Sequence, residues 1–122
     1  DILDPKIINI GIKFVANINV GDDKFEALDR AITTIQNMYT EKLDIGQPIY
    51  ITDIYNELNN LEEIVDVSEV EIVNDDTFGG NYSDETINLK DHISADGRIL
   101  YAPENVVYEL KYPNLDIKGT IK

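Results

Sequence analysis

The sequence predicts an α+β fold in which two helices pack on a small mixed or antiparallel sheet, in the order strand, helix, helix, strand, long loop, C-terminal hairpin. Three observations predict it. A long apolar run at period two opens the chain, a helix-capping signal follows it with apolar residues spaced at threes and fours, and alternation at period two returns near the C-terminus. The length of 122 residues, 43% of them hydrophobic, suits a single core, since a chain of this size buries about two-thirds of its unfolded surface. We therefore expect one α+β domain over 1–122, with 74–97 a long polar loop or arm and 98–122 a C-terminal β segment.

The first strand is read from Ile8, Ile10, Ile12, Phe14, Ala16, Ile18 and Val20, with Asn9, Gly11, Lys13, Asn17 and Asn19 at most of the alternate positions. Gly21 breaks it. Asp23 and Glu26 then form a capping box, which predicts a helix with Phe25, Leu28, Ile32, Ile35 and Tyr39 on its buried face, Ala31 beside them, and an end near 40–43. Gly46 and Pro48 interrupt the helical pattern, after which Thr52 or Asp53 caps a shorter helix carrying Ile54, Tyr55 and Leu58, with Asn59 and Asn60 at its end. Val65, Val67, Val70, Ile72 and Val73 make a second strand with an irregularity near Ser68 and Glu69, expected to pair with the first. The polar stretch 74–97 contains Phe78, Tyr82, Ile87 and Leu89, which point to a docked excursion rather than a free tether. Val106, Tyr108, Leu110 and Tyr112 then alternate as a third strand, and Pro113-Asn114 turns into a fourth made of Leu115, Ile117, Gly119 and Ile121.

Charge narrows the partners. The chain has 24 Asp+Glu against 10 Lys+Arg, a formal net charge of −14, and no basic residue lies between Lys42 and Lys90. Such a field repels phosphate backbones and anionic membranes, and no Lys/Arg stripe offsets it, so neither nucleic acid nor membrane is expected as a partner. A solvated acidic face and a docking surface for a basic partner or a cation both fit the acidic block. The absence of cysteine excludes disulfides, thiolate metal sites and a thiol nucleophile. No apolar run approaches the about 20 residues of a membrane span. Without an initiator Met or a signal pattern, the sequence reads as a piece of a longer chain.

Little in the sequence carries chemistry. His92 is the single histidine, with Ser94, Asp91 and Asp96 nearby, but no triad is signalled and a multi-histidine metal site is impossible. Starting from Asn74, residues Asp76, Gly79 and Glu85 fall on the third, sixth and twelfth places of a calcium loop, while Phe78 and Asn81 break its pattern. A calcium-dependent ligand-binding module on the acidic 74–85 loop is thus the alternative function, and a carboxylate-pair hydrolase a third. The reading from residues is that the chain is not an enzyme and takes no cofactor or metal.

The run IKFVANINVGDDKFEALDRAITTIQNMYTEKLDIGQPIYITDIYNELNNLEEIVDVSEVEI resembles the C-terminal domain of phage baseplate J-like proteins. The stretch SADGRILYAPENVVYELKYPNLDIKGTIK resembles the end of the baseplate wedge subunit of T-even-type contractile-tailed phages. The resemblance implies a structural role in the virion's tail baseplate, assembled in the host cytoplasm. It implies homo-oligomeric contacts and contacts with other wedge and tail proteins, and no catalytic residue. On that view Phe78, Tyr82, Ile87, Leu89 and Tyr101 are candidate partner-interface residues; the alternative is that they close the back of their own core.

Overall fold

The computed structural model describes residues 6–41, 43–74, 87–111 and 116–122. It is an α+β fold built around one long central strand. Strand β1 (Lys6–Ile18) runs for 13 residues and buries Ile8, Ile10, Ile12, Phe14 and Ala16 on one face, as its period-two pattern requires. Strand β3 (Ile64–Asn74) lies antiparallel along one side of β1, and β5 (Val106–Glu109) and β6 (Ile117–Ile121) lie parallel to it on the other. Two further two-residue strands, β2 (Ile49–Tyr50) and β4 (Ile99–Leu100), form a separate antiparallel ribbon. Helices α1 (Lys24–Met38) and α2 (Ile51–Asn59) pack against the sheet, α1 on β6 and α2 on β3.

The expected pairing of the first strand with the β-branched segment is present, and its irregularity has a clear function. The register shifts between Val15 and Ala16, where Ser68 is passed over, and between Asn17 and Ile18, where Val65 is passed over. Each break resets the alternation, so Val70, Val67 and Ile64 turn inward although they are three residues apart. Asn17 Nδ2 spans the first break, donating to Asp66 Oδ1 at 2.6 Å and to Ser68 Oγ at 3.1 Å.

The C-terminal hairpin is not formed. Val106–Glu109 pairs with Lys6–Asn9 and Ile117–Ile121 pairs with Ile12–Ala16, both parallel to β1, so the two segments lie end to end along one edge. The long central strand offers each of them a partner, which removes the need to pair with each other. Pro113 and Asn114, the expected turn, lie outside the described residues, as do Tyr112 and Leu115.

Helix α1 starts at the predicted cap, Asp23 Oδ1 accepting from the Phe25 and Glu26 amides at 2.8 and 3.3 Å. It ends at Met38, short of the expected 40–43. Its buried stripe runs through Ala27, Ala31 and Ile35, with Leu28, Ile32 and Tyr39 partly buried. Phe25 was expected on that face and is 85% exposed, because it lies roughly 160° around the helix from Ala27 and on the first turn. Helix α2 has no side-chain cap. Neither Thr52 nor Asp53 precedes it; instead the Arg98 carbonyl, delivered by the neighbouring ribbon, accepts from the Ile51 and Thr52 amides at 2.8 and 3.4 Å.

Tyr55 on α2 links helix to sheet, its hydroxyl accepting from the Val70 amide at 2.9 Å. Tyr55→Phe leaves that half-buried amide without a partner and should cost about 1–2 kcal/mol, read as a lower denaturation midpoint with an unchanged slope. An unchanged midpoint would mean that water replaces the hydroxyl.

The described part of the long loop is docked. A 3₁₀ turn over Leu89–His92 starts with Asn88 Oδ1 accepting from the Lys90 amide at 3.2 Å, and Asn74 Nδ2 donates to the Ile87 carbonyl at 2.7 Å. Ser94 Oγ then donates to Asp96 Oδ1 at 2.6 Å and accepts from the Arg98 and Ile99 amides at 3.1 Å. That turn places Gly97 at φ 75°, which a glycine adopts without strain.

Candidate interaction surface

The ribbon of β2 and β4 presents two exposed tyrosines, Tyr50 on β2 and Tyr101 directly after β4. Ile49 pairs with Leu100 and both point into the core; Tyr50 pairs with Ile99 on the opposite side. Alternation from Leu100 puts Tyr101 on the same outer side as Ile99, diagonal to Tyr50. Tyr50 is 49% and Tyr101 51% exposed, and Pro48 and Ile99 beside them are half-buried.

The base of this surface is held by main-chain and buried groups. The Tyr101 amide donates to the His92 carbonyl at 2.8 Å, and the buried Tyr108 hydroxyl donates to the Tyr101 carbonyl at 2.6 Å. Ile93 bridges to Leu100, and the Gly46 amide donates to the Val106 carbonyl at 2.8 Å. Rotamer-poor aromatic side chains on such a support lose little entropy when a partner covers them, which is how interface anchors are built. Arg98, at the end of the ribbon, faces Asp96 with Nε and Oδ2 3.7 Å apart, both side chains well exposed. The Asp96 carboxyl is held below its ordinary range by the Ser94 hydroxyl, then by the Arg98 amide, so it stays ionised beside the ribbon.

The residues singled out from sequence divide into three groups. Tyr101 is on the exposed ribbon. Ile87 packs half-buried against the core and Leu89 is 5% exposed within it, so Leu89 closes the back of its own domain and offers no surface to a partner. Phe78 and Tyr82 lie outside the described residues, as does the 74–85 loop apart from Asn74. Tyr50, Pro48 and Ile99 were not singled out: two-residue strands give no periodicity, and their pairing spans about fifty residues of chain. The available signal was the shared pattern of an inward aliphatic residue followed by an outward tyrosine at Ile49-Tyr50 and Leu100-Tyr101.

Elsewhere, Ser94 is committed to its turn and His92 supplies its carbonyl to the ribbon. Among the described residues no group of three or more metal-ligating side chains converges. A concavity of about 360 Å³ has mainly apolar walls, among them Ile7, Ile10, Leu43, Val107 and Leu110, with Tyr39 and Tyr108 contributing to its lining. Burial pushes both phenols up to about 12, with the charge of Asp53 adding to the effect at Tyr39. An unfolded tyrosine ionises near about 10, so the folded state holds these protons more tightly, and the stability present below pH 10 is lost as pH rises toward 12. Alkaline titration followed by far-UV circular dichroism should show unfolding in that window, and Tyr39→Phe should move its onset upward. Full retention of structure at pH 12 would contradict the burial of both rings.

Comparison of the chain with protein-family models, with curated proteins and with solved structures found no match.

Proposed function

We propose that the chain is a structural assembly domain of a phage tail baseplate wedge protein, acting through protein–protein contacts in the baseplate ring. The observation that carries this reading is the tyrosine ribbon: Tyr50 and Tyr101 are both exposed, on and directly after a ribbon whose backbone is fixed by Tyr108, His92 and the core residues Ile49 and Leu100. An outward-facing aromatic pair at this exposure gains by being covered and contributes little to the isolated fold. The resemblance of the strand and helix run to baseplate J-like proteins, and of the C-terminal segment to the baseplate wedge subunit, supports the same reading. On it, the domain contacts copies of itself and other wedge and tail proteins in the virion. The acidic surface, with its net charge of −14, tunes those contacts by favouring basic partner surfaces.

Sedimentation velocity across a concentration series, with calcium and with chelator in parallel cells, tests this. Association that rises with concentration and is indifferent to calcium is the expected result. A species that associates or changes shape only with calcium would overturn the reading in favour of a calcium-dependent module.

A further inference from the structure

The turn between β1 and α1 carries the two most exposed large apolar side chains among the described residues: Val20 is fully exposed and Phe25 is 85% exposed. Their backbone is fixed. The Asp22 amide donates to the Asn19 carbonyl at 3.1 Å, Gly21 takes the φ of 93° that the turn requires, and Asp23 caps α1 through the Phe25 and Glu26 amides. Asn19 ties the turn to the chain entering β3, its amide and its Nδ2 donating to the Glu63 and Glu62 carbonyls, each at 3.3 Å. At the same end of the sheet Val65, passed over in the second β3 register break, is 59% exposed. The core makes no use of Phe25, because α1 buries Ala27, Ala31 and Ile35 instead. A turn already held by its own hydrogen bonds loses little entropy when a partner covers its apolar side chains, and their removal from water favours that cover.

We propose that this turn is a docking tip, its Val20 and Phe25 seated on an apolar face of a partner protein that is bordered by lysine or arginine. Charge selects that partner. Residues 19–29 hold Asp22, Asp23, Glu26 and Asp29, all exposed, against Lys24 alone. Glu62 on the adjoining chain is exposed too, and Arg30 is committed to Glu63 at 2.7 Å. The local field and the net charge of −14 therefore point the same way, toward a basic border. A second copy of this chain and an anionic lipid surface are the poorer occupants, because both bring negative charge against the tip. The tip is remote from the tyrosine ribbon. It follows the C-terminal end of β1, whereas the ribbon is joined through Tyr108 to β5, which pairs with the N-terminal end of that strand. The proposal rests on the assembly reading in taking a protein as the partner, and adds to it a second contact surface at the other end of the sheet.

The test is titration of the isotopically labelled chain with an acetylated, amidated amphipathic peptide of lysine and leucine, whose folded apolar face is edged by lysine, followed by amide and side-chain NMR. The expected result is saturable shifts centred on Val20, Gly21 and Phe25, with an affinity that falls as salt is added. Val20→Ser/Phe25→Ser should weaken binding at least about tenfold and leave the denaturation midpoint unchanged, since both side chains are exposed. Asp22→Asn/Glu26→Gln, which spares the Asp23 cap, should weaken binding about threefold and flatten its salt dependence. A Tyr50→Ala/Tyr101→Ala chain should bind the peptide unchanged, so that a failed ribbon and a failed tip are told apart. Full binding by the Val20→Ser/Phe25→Ser chain would overturn the tip, as would shifts spread evenly over the acidic surface or a lowered midpoint in that variant. Equal affinity for a glutamate–leucine peptide of the same pattern would overturn the basic partner. Shifts at Phe25 with phosphatidylcholine vesicles and none with the peptide would put lipid in place of protein.

Discussion

Gly119→Ala should destabilise the fold by about 2 kcal/mol or more, and Gly119→Val should prevent a native spectrum altogether. Gly119 is the register partner of Phe14, whose ring lies flat over the glycine; a Cβ built there falls 2.7 Å from both Cε1 and Cε2 of the ring, and against Cζ. Phe14 is itself buried in the core on the central strand, flanked by β3 and β6, so the ring cannot move off the glycine without repacking its neighbours. The glycine is thus required by the aromatic ring, and its backbone conformation is secondary. The measurement is equilibrium denaturation of the single variants and of Phe14→Leu/Gly119→Ala. The smaller Leu should make the second change cheaper, giving a coupling energy that favours the pair. Additive losses in the double variant would show that the ring and the glycine do not confront each other.

Replacing both ribbon tyrosines should weaken association about 30-fold or more while leaving the fold in place. Two anchors of this kind contribute at least about 2 kcal/mol when a partner desolvates them, and 1.4 kcal/mol is a factor of ten. Because Tyr50 and Tyr101 point away from the core, Tyr50→Ala/Tyr101→Ala should change unfolding free energy by no more than about 0.5 kcal/mol each. The contrast with Leu89 is informative. Leu89→Ala should cost about 2–5 kcal/mol of stability, since it removes a buried side chain from the core. If the tyrosine pair unfolds the domain in the same way, the ribbon is part of the core and the surface assignment fails.

What was legible in the sequence follows the range of the forces involved. Local patterns were readable: the thirteen-residue central strand from its alternation, the cap at Asp23, and the irregular second strand. Three features were not, and each depends on a distant partner. The cap of α2 is the Arg98 carbonyl, brought in by the β2–β4 ribbon from about fifty residues away. The apparent hairpin became two successive parallel strands because one edge of β1 is long enough to hold both. Phe25 matched the threes-and-fours pattern, yet the close approach of α1 is made through Ala27 and Ala31, and the aromatic ring falls outside it. The surface was half legible for the same reason: Tyr101 stood in a readable segment, whereas its neighbour Tyr50 becomes a neighbour only once the ribbon has formed.

Hydroxyl-radical footprinting of the tyrosines, read by mass spectrometry in dilute and in concentrated solution, tests the assembly reading most directly. The chain carries its own references, because Tyr108 is buried and Tyr39 and Tyr55 are partly buried within it. Oxidation of Tyr50 and Tyr101 should fall together as the chain associates, while that of the three reference tyrosines holds constant. Association with Tyr50 and Tyr101 still oxidised at their dilute rate would contradict it.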